Sequence, residues 1–149
     1  MGCSWGRSPG MKTSIRIAQI RVVPKRGDLS ANCEKLMDVL GGLTGQGVDV
    51  VVTPECFLDG YIAVEDSVTG ESLADYAIDP ANSPYVEDVS TWAREDAAWV
   101  VLGCSRLASE GVANSALLID RKGDLTVCCE SDNAADALKA IEKIVHRPS

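Results

Sequence analysis

The segment Val48-Asp49-Val50-Val51-Val52-Thr53-Pro54-Glu55 constrains this chain more than any other. Its run of β-branched residues predicts a buried strand. Pro54 stops that strand because proline has no N–H to give to a sheet ladder. Glu55 therefore falls just past the strand's carboxyl end, which is where ligands collect in open α/β sheets. The remaining residues read as the scaffold that places this one carboxylate.

A β-α-β unit surrounds the segment. The alternating stretch from Ile15 to Val23 predicts the first strand, broken by Pro24, Gly27 and Asp28. Asp28 is placed to cap a helix whose apolar stripe is Leu29, Cys33, Leu36, Met37, Leu40 and Leu43. Gly45 and Gly47 end it. A parallel, right-handed return to the strand before Glu55 follows. The stretch from Leu58 to Ser83 is irregular, and connections of that length in a compact domain are usually functional or mobile. Ser83 as N-cap and Pro84 at the first helical position predict a second helix, with Val86, Val89, Ala93 and Ala97 on its buried face. Strands are predicted from Trp99 to Cys104, Asn114 to Asp120 and Leu125 to Cys129, the last two joined by a turn at Arg121-Lys122-Gly123-Asp124.

At 149 residues the expectation is one domain with a substantial core. A formal net charge of -8 argues against nucleic-acid or anionic-membrane partners, because both reward basic surfaces. The six cysteines form no C-x-x-C pair, and His146 is the one histidine, so no metal site is expected. Reduced thiols in the cytoplasm are the simpler reading. No apolar run approaches the length that spans a bilayer. Residues 1–11 read as a disordered leader, or as codons upstream of a start at Met11. Residues 131–149 change character and predict a short amphipathic helix carrying Ala134, Leu138, Ile141 and Val145.

Several of these features occur in a fixed order: the strand from Ile15 to Ile20, the helix start at Asp28-Leu29-Ser30-Ala31-Asn32, the segment from Gly47 to Glu55, Phe57-Leu58-Asp59-Gly60-Tyr61, and Asn114 to Asp120 before Gly123. Together they resemble the amino-terminal half of the carbon–nitrogen hydrolase family, the nitrilases and aliphatic amidases, over Lys12 to Leu125. The resemblance implies an α/β fold: part of an α-β-β-α sandwich, with a largely parallel sheet and helices on one face. It sets residues 12–130 as a truncated hydrolase domain. It also implies a Glu-Lys-Cys site acting on small amides or nitriles without a cofactor. In that site a cysteine thiolate attacks the carbon, a lysine stabilises the developing charge and a glutamate is general base.

Carried over position by position, Glu55 matches the family's base. The lysine's setting falls on Cys129-Glu130-Ser131, where no lysine stands, and the cysteine's position lies beyond residue 149. The match stops abruptly after Leu125, a pattern that a frameshift, a misplaced gene boundary, an early stop or an alternative splice would produce. The chain as written is therefore expected to be inactive. The alternative is a non-catalytic binding or homo-oligomerisation module that uses the sheet face left exposed by the missing half.

Other candidates have plainer readings. Tyr61 is a candidate for the substrate pocket, or a structural aromatic after Gly60. Cys104 follows a strand and reads as packed core. Cys56 is expected to point away from the Glu55 carboxylate, since neighbouring side chains alternate in extended chain. Cys128-Cys129 reads as two thiols in a strand, Trp92 and Trp99 as packing around a helix-to-strand turn, and His146 as solvent-exposed.

Overall fold

The computed structural model describes residues 14–130. The leader at 1–11, the helix expected over 131–149 and His146 lie outside the described residues. Five strands form one sheet in the order β1-β2-β3-β4-β5: β1 Ile17–Gln19, β2 Val50–Val52, β3 Trp99–Ala108, β4 Gly111–Ile119 and β5 Leu125–Glu130. The helices are α1 Leu29–Leu43, the single turn α2 Gly70–Leu73, and α3 Pro84–Asp96. The α/β architecture with its β1-α1-β2 unit is the expected one. The sheet is mixed: β1, β2 and β3 run parallel, while β3-β4-β5 are antiparallel hairpins.

The first strand is shorter than the alternation of Ile15 to Val23 predicts. Ile20 still donates its N–H to the Val52 carbonyl at 2.8 Å. Beyond Val52 the partner strand is closed by Pro54, so Arg21 to Val23 have no ladder to join. The β3-β4 hairpin, by contrast, runs further than expected. Its strands pair from Val100 with Ile119 out to Ala108 with Gly111.

Helix caps fall where the residue types place them. Asp28 accepts the Ala31 N–H, and that bond, helped by the Lys25 ammonium, holds its carboxyl below the usual value. Ser83 accepts from Val86 with Pro84 as first helical residue. Ala97, expected on the buried face of α3, is instead exposed and ends the helix in the left-handed region at φ 52°. Trp92 joins Val86, Val89 and Ala93 on the buried face, and its indole N–H donates to Thr44 Oγ1 at 3.0 Å.

Both long helices cover the same face of the sheet. Leu36 and Leu40 of α1 and Val89 and Ala93 of α3 pack with Val51, Val100, Leu102, Leu117 and Ile119. The opposite face carries Val50, Trp99 and Leu118, with Ile15, Val52 and Val101 around them. Trp92 and Trp99 therefore sit in different clusters, one on each side of the sheet. The centre of this second face is closed rather than exposed: Val50, Trp99 and Leu118 are at most 3% exposed. Ile17, paired with Val50 on the edge strand, is 64% exposed.

Candidate functional site

The site is built where β2 stops and β3 continues. Past Val52 the chain keeps contact with β3 for one more rung: Thr53 N–H donates to the Val101 carbonyl at 3.0 Å, and Thr53 Oγ1 accepts the Gly103 N–H at 2.8 Å. Contact resumes at Leu58, whose N–H donates to the Gly103 carbonyl at 3.1 Å. Pro54, Glu55, Cys56 and Phe57 are thus looped out between two anchor points on β3. Further along, Ile78 takes the place beside β3 that β2 vacated, bridging to Arg106 in parallel register.

The loop lies directly on Gly103. A β-carbon there would stand 2.3 Å from the Pro54 carbonyl oxygen and 3.0 Å from the Cys56 nitrogen, so no other residue fits without moving the loop. Its far end is pinned by the β1-α1 connection. Gly60, at φ +68°, lies so close to Lys25 that a β-carbon would come within 2.3 Å of the Lys25 carbonyl oxygen. Asn32, fully buried on α1, ties the two segments together. Its Nδ2 donates to the Lys25 carbonyl at 2.7 Å and the Leu58 carbonyl at 3.0 Å, while its Oδ1 accepts the Lys25 N–H at 2.6 Å. Gly27 N–H adds a bond to the Asp59 carbonyl at 2.9 Å.

Glu55 is exposed at the top of this loop and accepts a hydrogen bond from Asn114 Nδ2 on β4. The other end of the same amide, Oδ1, accepts the Cys56 thiol at 3.2 Å. Cys56 does not point away from Glu55. The segment is a turn, not extended chain, and Cys56 sits in the left-handed region at φ 48°, so both side chains reach one asparagine. For a residue with a β-carbon that conformation costs about 1–2 kcal/mol.

Beneath the loop lies a second carboxyl. Asp59 is fully buried; its Oδ2 accepts the Ser105 hydroxyl at 3.1 Å, and its Oδ1 has no hydrogen-bond partner. Burial raises its pKa above the ordinary value. Burial also pushes the Cys56 thiol up to about 12, helped by the Asp59 and Glu55 charges and opposed by a hydrogen bond with Ser105. Cys56 is consequently a protonated donor and not a nucleophile. Cys33 behaves alike, its thiol raised to about 11 mainly by burial. Cys104 is buried in the helix-side core, as expected of it.

Tyr61 follows at the end of the same loop. Its N–H donates to the Cys56 carbonyl at 3.0 Å, its φ is 58°, and the residue is 39% exposed. Among the described residues no group of three or more His, Cys, Asp or Glu side chains is placed to hold a metal ion. No helix among them is long and apolar enough to cross a membrane. The arrangement offers an oriented, solvent-facing carboxylate able to accept a proton from a group approaching the carboxyl ends of the parallel strands.

Glu55 was legible as a candidate; the role of Asn114 was not. Asn114 is a polar residue that precedes the apolar part of β4, and that was the available signal. Only the β3-β4 hairpin shows that it reaches a loop 59 residues earlier.

Comparison with known proteins bears on this geometry. The carbon-nitrogen hydrolase profile matches residues 14–135. No curated protein sequence matches significantly. Among solved structures the chain is similar to a CN-hydrolase superfamily protein from Xanthomonas campestris with an arsenic adduct in its active site, at TM-score 0.65 and 21% identity over 91% of this chain and 45% of that one. It is also similar to an amidase from Nesterenkonia sp., at TM-score 0.59 and 20% identity over 85% of this chain and 44% of the other. An N-terminal amidase with a bound Gln-Val peptide aligns at TM-score 0.67 and 15% identity, over 85% of this chain and 30% of its own. The chain spans less than half the length of each of these structures.

Proposed function

The chain belongs to the carbon–nitrogen hydrolase family, and from that premise we propose that Glu55 is the general base of a site hydrolysing small amides or nitriles. One observation carries the proposal: Glu55 stands at the carboxyl end of β2, oriented by Asn114 from a strand distant in sequence. A carboxylate held there takes the proton of an incoming nucleophile and returns it to the departing nitrogen. Tyr61, exposed at the end of the same loop, is assigned to the rim of the substrate pocket.

Neither the family's lysine nor its nucleophilic cysteine has a matching position in these 149 residues. Cys56 does not substitute, because its thiol is held at about 12. On this reading these residues supply the base, and the covalent step needs groups that no position among them matches. A cytoplasmic location is proposed with it, on the sequence reading of the cysteines as reduced thiols.

The test joins residues 12–125 to the carboxyl-terminal half of the Nesterenkonia sp. amidase and measures ammonia release from acrylamide and other small amides. The chimera is expected to hydrolyse them, and Glu55→Gln to lower the rate at least ~100-fold, the lower range for losing an acid–base group. A folded chimera equally fast with Glu55→Gln overturns the assignment.

A further inference from the structure

We propose that Cys56 and Asn114 form a polarity lock on Glu55: the thiol donates to Asn114 Oδ1, this fixes Nδ2 toward the carboxylate, and Asn114 thereby becomes the positioning residue that presents Glu55 as a proton acceptor. The inference deepens the reading of Glu55 as base and takes its functional meaning from it.

The argument rests on the two ends of an amide. Asparagine carries an acceptor at Oδ1 and donors at Nδ2, and an ionised carboxylate has only acceptors. With Nδ2 toward Glu55 the pair attracts; with the amide reversed, two oxygens face each other. The carboxylate favours the first arrangement, and the neighbour on the other side reinforces that choice. A thiol offers a hydrogen to Oδ1, as the 3.2 Å contact shows. A thiolate would offer only an acceptor, would draw Nδ2 to itself, and would turn Oδ1 toward Glu55.

Cys56 is kept in the donating form by its surroundings. It is 5% exposed, and the charges nearest it are the carboxylates Asp59 and Glu55. Ser105, which donates to Asp59, closes the cluster beneath.

The backbone supplies an independent reason to look for a use of this side chain. Cys56 occupies the left-handed region at φ 48°, where glycine would sit without strain. A strained side-chain-bearing residue beside a candidate site points to work done by the side chain. Here that work is the bond to Asn114. The lock also accounts for two consecutive residues, Glu55 and Cys56, converging on one amide from a strand reached only through the hairpin pairing of Ser105 with Asn114.

The test uses the 149-residue chain labelled with ¹⁵N-asparagine and reads hydrogen exchange at the Asn114 side-chain amide. In Cys56→Ala that exchange is expected to quicken at least ~10-fold, the scale of one lost hydrogen bond. In Cys56→Ser, whose hydroxyl also donates, it is expected to stay within about twofold of the parent, well inside one such bond. Unchanged exchange in Cys56→Ala, or equal acceleration in both variants, overturns the lock. A second readout covers the case in which Cys56→Ala fails to fold. The S–H stretching band of Cys56, identified by its loss in Cys56→Ser, is expected at the lowered frequency of a bonded thiol and to rise in Asn114→Ala. A band that ignores Asn114 overturns the proposal. Neither readout depends on turnover, so a failed lock and a failed hydrolase assignment are told apart.

Discussion

Asp59 and Ser105 form a half-satisfied buried pair: one carboxyl oxygen takes the serine hydroxyl at 3.1 Å, and the other is enclosed without a partner. Enclosure disfavours the charged form of this carboxyl, against hydrogen bonds that favour it. With the folded value raised above the ordinary 3.8, the folded state binds more protons than the unfolded one between those two values. Asp59 therefore contributes full stability below 3.8, and that contribution falls away as pH rises toward the folded value. We predict that Asp59→Asn flattens this limb and makes the chain more stable than its parent at neutral pH. Urea unfolding midpoints measured across the acid-to-neutral range check it; parallel curves for parent and variant would refute it.

Gly103→Ala should act at a distance from any ligand. The added methyl meets the Pro54 carbonyl, and relieving that overlap means lifting the loop from β3 or shifting the strand. Overpacking of this kind costs about 1–3 kcal/mol. The Asn114 bond to Glu55 is expected to weaken with it, visible as faster exchange of the Asn114 side-chain amide. A variant with parent-like unfolding midpoint and parent-like exchange would show that the loop yields freely.

Asn32→Leu removes one side chain that bonds three backbone groups, the Lys25 N–H and the carbonyls of Lys25 and Leu58. Each buried group left unpaired costs about 1–3 kcal/mol. A drop in thermal midpoint is expected, with Asn32→Asp failing to restore it because a carboxylate has no hydrogen for the two carbonyls. Recovery in Asn32→Asp would mean that the single bond to Lys25 carries the effect.

The parts of this fold that were readable in the sequence are those decided locally. Pro54 ends a strand wherever it stands, Asp28 and Ser83-Pro84 start helices through bonds to the residue three positions on from the cap, and Gly123 makes its turn at φ +81° within a few residues. What escaped was decided by partners elsewhere. The first strand stops early because its neighbour does. Ala97 leaves the core because the helix turns left-handed one residue before Ala98 enters it. The direction of Cys56 was misjudged because alternation assumes extended chain, and the loop over Gly103 is not extended. Asn114 lies within β4, but its reach to Glu55 exists only with β3 and β4 paired.

The knot at Asn32 also couples distant parts of the chain. Its bonds join the connection at Lys25 to the loop at Leu58, and that loop needs Gly103 of β3 beneath it and Asn114 of β4 beside it. The Lys25–Asn32 bonds are local, seven residues apart, whereas the bonds from Asn32 to Leu58 and from Asn114 to Glu55 close stretches of 26 and 59 residues. The position of the carboxylate is therefore shared by Lys25, Leu58, Gly103 and Asn114, and loosening any one of these contacts is expected to loosen Glu55 with it.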